Sequence, residues 1–158
     1  VSNTQALCTS FKKELLLGHH NFGVGVTRGG TGVDSFRAAL YVTTATKDAT
    51  TTTYGGTVGS VADTGEVTGT GYTAGGVAVT FGTVPNTSGT TAFVTPSANI
   101  VYPIVTLTTA FNAVLIFNTS QANKAVSVHT FTSQTITAGT LTLTMPTNDA
   151  TTGLIRLV

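Results

Sequence analysis

A chain of 158 residues is the size of one domain and too short for two well-filled cores. Only 8% of its residues are charged, the formal net charge is +1, and the seven Lys and Arg residues form no basic stripe, which argues against a nucleic-acid-binding surface. Apolar runs such as Ala113 to Phe117 are far shorter than the ~20 residues of a membrane-crossing helix, Leu15 to Leu17 is too brief for the core of a secretory signal, and the single Cys8 leaves no intrachain disulfide framework.

The missing charge is replaced mainly by Thr, roughly a quarter of the chain, whose β-branched side chain favours pleated strands. No charged side chain occurs between Glu66 and Lys124, so most of the surface is neutral and weakly solvated. Such a surface suits permanent burial against other subunits better than life as a free monomer.

The opening segment, roughly Asn3 to Gly18, differs from all that follows. Ala6, Leu7, Phe11, Leu15 and Leu17 supply apolar positions at spacings of three and four, Lys12, Lys13 and Glu14 mark a polar side, and Gly18 stands where a helix would stop. The pattern predicts one amphipathic helix of about three turns, too short to be stable alone. It must dock, either over the open end of its own β domain or on a neighbouring subunit. Residues 19–32, from His19 and His20 to Gly32, read as a Gly-rich linker.

Val33 to Thr43 predicts the first strand, with Phe36, Leu40 and Val42 on its core face. The polar stretch from Thr44 to Gly75 is too long to lack structure in a compact domain, and a short strand is expected near Glu66 to Thr70. Val77 to Val84 follows as a half-buried strand. Further strands are expected at Asn99 to Thr108, Ala113 to Asn118, Ala125 to Phe131, Leu141 to Met145 and Leu154 to Val158. Turns separate them at Asn118 to Asn123, Thr137 to Gly139 and Thr147 to Gly153. Ala113 to Phe117, apolar on both faces, is the central strand, and Leu141, Leu143 and Met145 point inward against Thr142 and Thr144. The expected fold is all-β, an antiparallel β-sandwich or jelly roll, preceded by one short N-terminal amphipathic helix. Its organisation is a helical arm at 1–18, the linker at 19–32 and a β-sandwich domain at 33–158.

No catalytic constellation emerges. The six acids are widely spread, with no close pair to divide acid and base roles. His19 and His20 read as solvated loop residues and His129 as one on a strand face, without the spacing of a zinc site. Cys8 has no catalytic context and reads as a structural thiol. The glycines from Gly25 to Gly32 lack the Lys-Ser/Thr ending of a phosphate-binding loop and follow a helix instead of a strand. Asn86-Thr87-Ser88 and Asn118-Thr119-Ser120 match the glycosylation acceptor pattern but read only as exposed turns. No enzymatic activity, cofactor or metal is therefore expected.

The segments Phe11-Lys12-Lys13-Glu14-Leu15-Leu16-Leu17-Gly18, Asp34-Ser35-Phe36-Arg37-Ala38-Ala39-Leu40-Tyr41 and Gly65-Glu66-Val67-Thr68-Gly69-Thr70-Gly71-Tyr72-Thr73-Ala74-Gly75-Gly76 resemble small virion structural proteins of tailed bacteriophages. The stretch from Ala113-Val114-Leu115-Ile116-Phe117-Asn118 through Thr140-Leu141-Thr142-Leu143 is similar to the same group. The Gly-rich insert between His20 and Gly32 departs from that pattern. The resemblance implies a virion location after assembly in the host cytoplasm, many copies per particle, and a decoration or cement role bridging subunits of the major capsid protein. A homo-oligomer, trimer or dimer, is expected, with Phe11, Leu15 and Leu16 as partner-docking anchors. Alternatives are a head-neck, collar or tail component of the same particle and, from another class, a carbohydrate-binding module or adhesin using Tyr54 or Tyr72 as a platform.

Overall fold

The computed structural model describes residues 2–23 and 32–158. In chain order its elements are a two-residue strand β1 (Ala6–Leu7), helix α1 (Thr9–Leu16), β2 (Phe36–Val42), β3 (Val77–Val79), β4 (Asn86–Ser88), β5 (Thr91–Val94), β6 (Ile100–Asn118), a 3-10 turn (Thr119–Gln121), β7 (Lys124–Leu143) and β8 (Ile155–Leu157). Antiparallel pairing assembles two sheets, ordered β1-β7-β6-β2-β3 and β4-β5-β8. The fold is thus all-β and sandwich-like, with one short N-terminal helix, as the sequence predicts.

Of the five strands expected in the second half, the first four merge into two long ones, β6 and β7, that form a single hairpin. Its tip is closed by the Asn118 side chain, which accepts from the Ser120 N–H at 3.0 Å, and by left-handed Ala122 and Asn123. Ala113 to Phe117 is buried on both faces in the middle of the larger sheet, the expected central strand. Thr137 to Gly139, expected as a turn, lies inside β7 as a register shift with Ala138 at a φ of 47°. Residues that suit a turn also suit a bulge, which needs the same left-handed backbone.

The hairpin folds back on itself. The Tyr102 hydroxyl donates to the Ala38 carbonyl at 2.8 Å, and Ala38 pairs with Ile116, further along the same strand as Tyr102. In a straight strand Tyr102 and Ile116 would lie roughly 45 Å apart at about 3.3 Å per residue. Register shifts between Leu107 and Ala113 absorb the bend. Ile100, Leu141 and Leu143 thereby cover Val114 and Ile116, with a cleft of about 410 Å3 between them. Leu115 and Phe117 point to the opposite face, where Tyr54 stacks on Phe117 at 4.5 Å.

Tyr54 belongs to the polar stretch 44–76, which forms no strand of its own; the one expected near Glu66 is reduced to single bridges, Tyr41 to Glu66 and Thr70 to Thr106. Gly76, with φ of 64°, lies so close to the Ala38 carbonyl that any Cβ would collide with it. The Arg37 guanidinium bonds the Gly75 and Gly76 carbonyls and fixes this approach.

The N-terminal segment is not a separate arm. β1 adds to the edge of β7, the Cys8 N–H donates to the Val126 carbonyl at 3.0 Å, and Cys8 and Phe11 are fully buried in the main core. The helix is also shorter than expected, because residues 6 and 7 are spent in the sheet. Burial pushes the Cys8 thiol up to about 12, helped by the nearby Asp48 and Glu14 charges, which makes it an inert packing group. The expected linker at 19–32 is likewise packed where described, with His20, Asn21 and Phe22 buried; its Gly-rich part, 24–31, lies outside the described residues.

Candidate functional site

Phe11 and Leu15 stand four residues apart on α1 and so share one face of the helix. In the smaller sheet Ala92 and Val94 pair with Leu157 and Ile155, which places these side chains on a common face. Between the two surfaces runs an open groove of about 380 Å3, completed by Phe22, Phe93 and Val84. Phe22 is itself held by stacking on Phe36 at 4.6 Å and by an edge contact with Phe81 at 4.8 Å. Val94 and Ile155 form a buried floor, whereas Val84 and Leu157 remain 56% and 41% exposed at the rim. Among the described residues no Lys, Arg, Asp or Glu lines the groove.

Two of the three expected docking residues meet here. Phe11 is wholly buried and contributes wall, not a projecting anchor, because its ring packs against His20 and Phe22. Leu15 is half-buried in the groove. Leu16 faces away at 91% exposure and Leu17 follows at 57%. The chain reading missed Phe22, Val84, Phe93 and Leu157. The alternation of Ile155 and Leu157 was a usable signal, but nothing local says that the C-terminal strand faces the N-terminal helix.

Behind the groove lies a buried polar network. The Glu14 carboxylate accepts from His20 Nε2 and from Lys124 Nζ, each at 2.9 Å. On the other side of the ring Asn118 Nδ2 donates to His20 Nδ1 at 3.0 Å and to the Asp34 carboxylate at 2.8 Å. A carboxylate only accepts and an amide NH2 only donates, so the neutral ring carries its proton on Nε2. Burial lowers the His20 pKa and outweighs the hydrogen bond and charge of Glu14. Burial also pushes Glu14 up, but its bonds from His20 and Lys124 and the Lys124 charge win and hold its carboxyl below the ordinary value. At neutral pH the contact is a charge-assisted hydrogen bond from a neutral imidazole to the Glu14 carboxylate. His20 is therefore not the solvated loop histidine that the sequence suggests, and Asn118, fully buried, is no glycosylation acceptor in the folded chain.

His129 lines the other cleft, where burial lowers its pKa from 6.5 to about 4. The sign follows directly. An unfolded histidine takes up a proton below 6.5, the folded ring only near 4, so the unfolded state binds more protons across that window and stability falls as pH falls. His129 contributes roughly 3 kcal/mol to that loss, and His20 acts in the same direction. Urea denaturation between pH 7 and pH 4 checks this, and His129→Gln is expected to flatten the curve.

The aromatic residues expected to offer a glycan platform are committed elsewhere. The Tyr54 and Tyr72 hydroxyls both bond the buried Glu66 carboxylate at 2.8 Å, and Tyr54 is only 2% exposed. The Tyr41 hydroxyl and Lys47 Nζ both reach Asp63 Oδ2 at 2.7 Å. This network ties the 44–76 loop to the sheet. Among the described residues no group of three His, Cys, Asp or Glu side chains could hold a metal ion, and no helix is long and apolar enough to cross a membrane.

No protein-family model, curated protein or solved structure matches this chain.

Proposed function

We propose that this protein is a non-enzymatic virion structural subunit that decorates and stabilises a phage capsid by bridging neighbouring capsid subunits. The groove carries the reading: it is mainly apolar, has no charged side chain among its described lining residues, and opens between α1 and the smaller sheet, with Val84 and Leu157 left exposed at its rim. Apolar surface of this kind gains about 25 cal/mol per Å2 when a neighbour covers it, and many copies multiply a modest gain per joint. The long uncharged stretch from Val67 to Asn123 supports the same role, since permanent contact removes the need for a charged skin. The sequence resemblance to small phage virion proteins supplies the kind of assembly.

The test is rebinding of purified protein to virions that lack it, followed by co-sedimentation and imaging. Copies tiled over the capsid faces are expected; density confined to the portal vertex would reassign the protein to the neck, collar or tail. Val84→Asp and Leu157→Glu place charge on the rim, where each should change folding stability by about 0.5 kcal/mol or less. Particle binding should fall about thirtyfold, as for loss of an interface anchor worth about 2 kcal/mol. Unchanged binding by both variants would remove the groove from the interface.

A further inference from the structure

Lys47 and Asp63 meet where water is largely excluded. The Lys47 Nζ stands 2.7 Å from Asp63 Oδ2, and the two side chains are only 12% and 9% exposed. The wholly buried Tyr41 ring flanks the amine, with Nζ 4.5 Å from its centroid. Two full charges in such a place lose much of their hydration, and their mutual attraction does little more than offset that loss. A neutral link between the same side chains would carry no such cost.

The Asp63 carboxyl is held as an acyl acceptor would be. Oδ1 accepts from the Thr64 N–H at 2.7 Å. Gly55 comes so close that a Cβ would lie 2.7 Å from the same oxygen, and its backbone also bonds the carboxylate. Backbone N–H groups on one oxygen of an acyl group stabilise the oxyanion that forms when a nucleophile adds to the carbon. The Tyr41 hydroxyl donates to the other oxygen, Oδ2, at 2.7 Å. Burial, that bond and the Asp63 charge push the Tyr41 pKa far up, so the hydroxyl keeps its proton. Both main chains are anchored: the Lys47 N–H donates to Asn3 Oδ1 at 3.0 Å, and the Asp63 N–H donates to Glu66 Oε2 at 2.8 Å. Amine and acceptor are thus oriented before any bond forms. Burial pushes the Asp63 carboxyl up, but the bonds from Lys47 and Tyr41 and the Lys47 charge hold it below its ordinary value, so the pair starts as ammonium and carboxylate.

We propose that Lys47 and Asp63 condense into an intramolecular amide, a covalent staple within the 44–76 loop. The step balances within the pair. Nζ passes one proton to Oδ2 across their hydrogen bond, its freed lone pair attacks Cγ, and negative charge gathers on Oδ1 beneath the backbone N–H groups. A second proton moves from Nζ to Oδ2, which the Tyr41 hydroxyl holds as the leaving oxygen. The Cγ–Oδ2 bond breaks, water departs, and Nζ keeps one hydrogen in a neutral amide. No oxidant, cofactor or second enzyme enters. The closed loop restricts the unfolded chain and so stabilises the fold. The link is independent of the groove and of assembly.

Intact mass of the full chain under denaturing conditions tests it. After incubation at neutral pH the wild type is expected to be lighter than its sequence by one water. Lys47→Arg keeps a cation beside Asp63 but removes the amine that is acylated. It should show its full sequence mass and a melting temperature lower by about 10 °C. Trypsin does not cut after an acylated lysine, and 48–123 contains no Lys or Arg. Digestion of the wild type should therefore yield residues 38–124 as one fragment, lighter by one water, with the link at Lys47 and Asp63. This digest decides the matter even if Lys47→Arg folds poorly. A wild type at its full sequence mass, or release of 38–47 as a free peptide, overturns the proposal. So does a water loss that survives in Lys47→Arg, which would mark a succinimide formed at an aspartate.

Discussion

Glu66→Ala is expected to destabilise the protein by roughly 3–5 kcal/mol, a large part of the total for a domain of this size. Four donors converge on this one carboxylate. The Tyr54 hydroxyl and the Asp63 N–H meet Oε2 at 2.8 Å, and the Tyr72 hydroxyl and the Gly75 N–H meet Oε1 at 2.8 and 2.7 Å. Alanine would leave these groups unpaired in a region sealed from water, each costing about 1–3 kcal/mol before relaxation. Tyr54 has the Val61 carbonyl at 3.2 Å as an alternative partner, which limits part of the loss. Glu66→Gln should cost less, roughly 2 kcal/mol, because its amide NH2 opposes two donors while its oxygen still serves the other two. Equilibrium urea denaturation measures both. A change below about 1 kcal/mol for Glu66→Ala would mean that the 44–76 loop is held by packing instead.

That network also marks the boundary of what the chain reveals before folding. Strand segments were legible where burial imposes a pattern, as in the doubly buried run Ala113 to Phe117 and the alternation beginning at Leu141. Their union into two long strands was not. The joining residues, Thr109 to Asn112 and Thr132 to Gly139, carry the Thr, Gly and Ala content of a loop, yet the ladder passes through them by register shifts. Pro103 was a visible sign of irregularity, but a left-handed isoleucine or alanine has no local signature. The candidate site was half legible for the same reason. Helical spacing singled out Phe11 and Leu15, while the opposite wall comes from a strand more than 130 residues later in the chain, and His20 meets Asn118 across 98 positions. Local pattern fixes which residues want burial; only the closed fold decides which of them meet.

Deleting residues 1–18 is the second change with a large expected effect, and the result expected is loss of the folded state. The segment supplies the edge strand beside β7 and the bond from the Thr4 N–H to the Lys47 carbonyl at 2.9 Å. Asn3 adds side-chain bonds to the Val42 carbonyl at 3.1 Å and to Asn112 at 2.8 Å. Phe11 alone would cost about 3–5 kcal/mol if truncated to alanine. Losing Glu14 as well leaves Lys124 and the buried His20 without their partner. The summed loss exceeds the 5–15 kcal/mol that domains of this size possess at the lower end of that range. Circular dichroism and the melting transition of the truncated chain, compared with Phe11→Ala in the full chain, check this directly. A cooperatively folded truncation would make the helix an exchangeable arm that could dock on a neighbour. An unfolded one makes it a lid on its own core, and under the proposed function the N-terminus then offers only a wall of the groove, with Leu15, Val84 and Leu157 as the surface available to a neighbour.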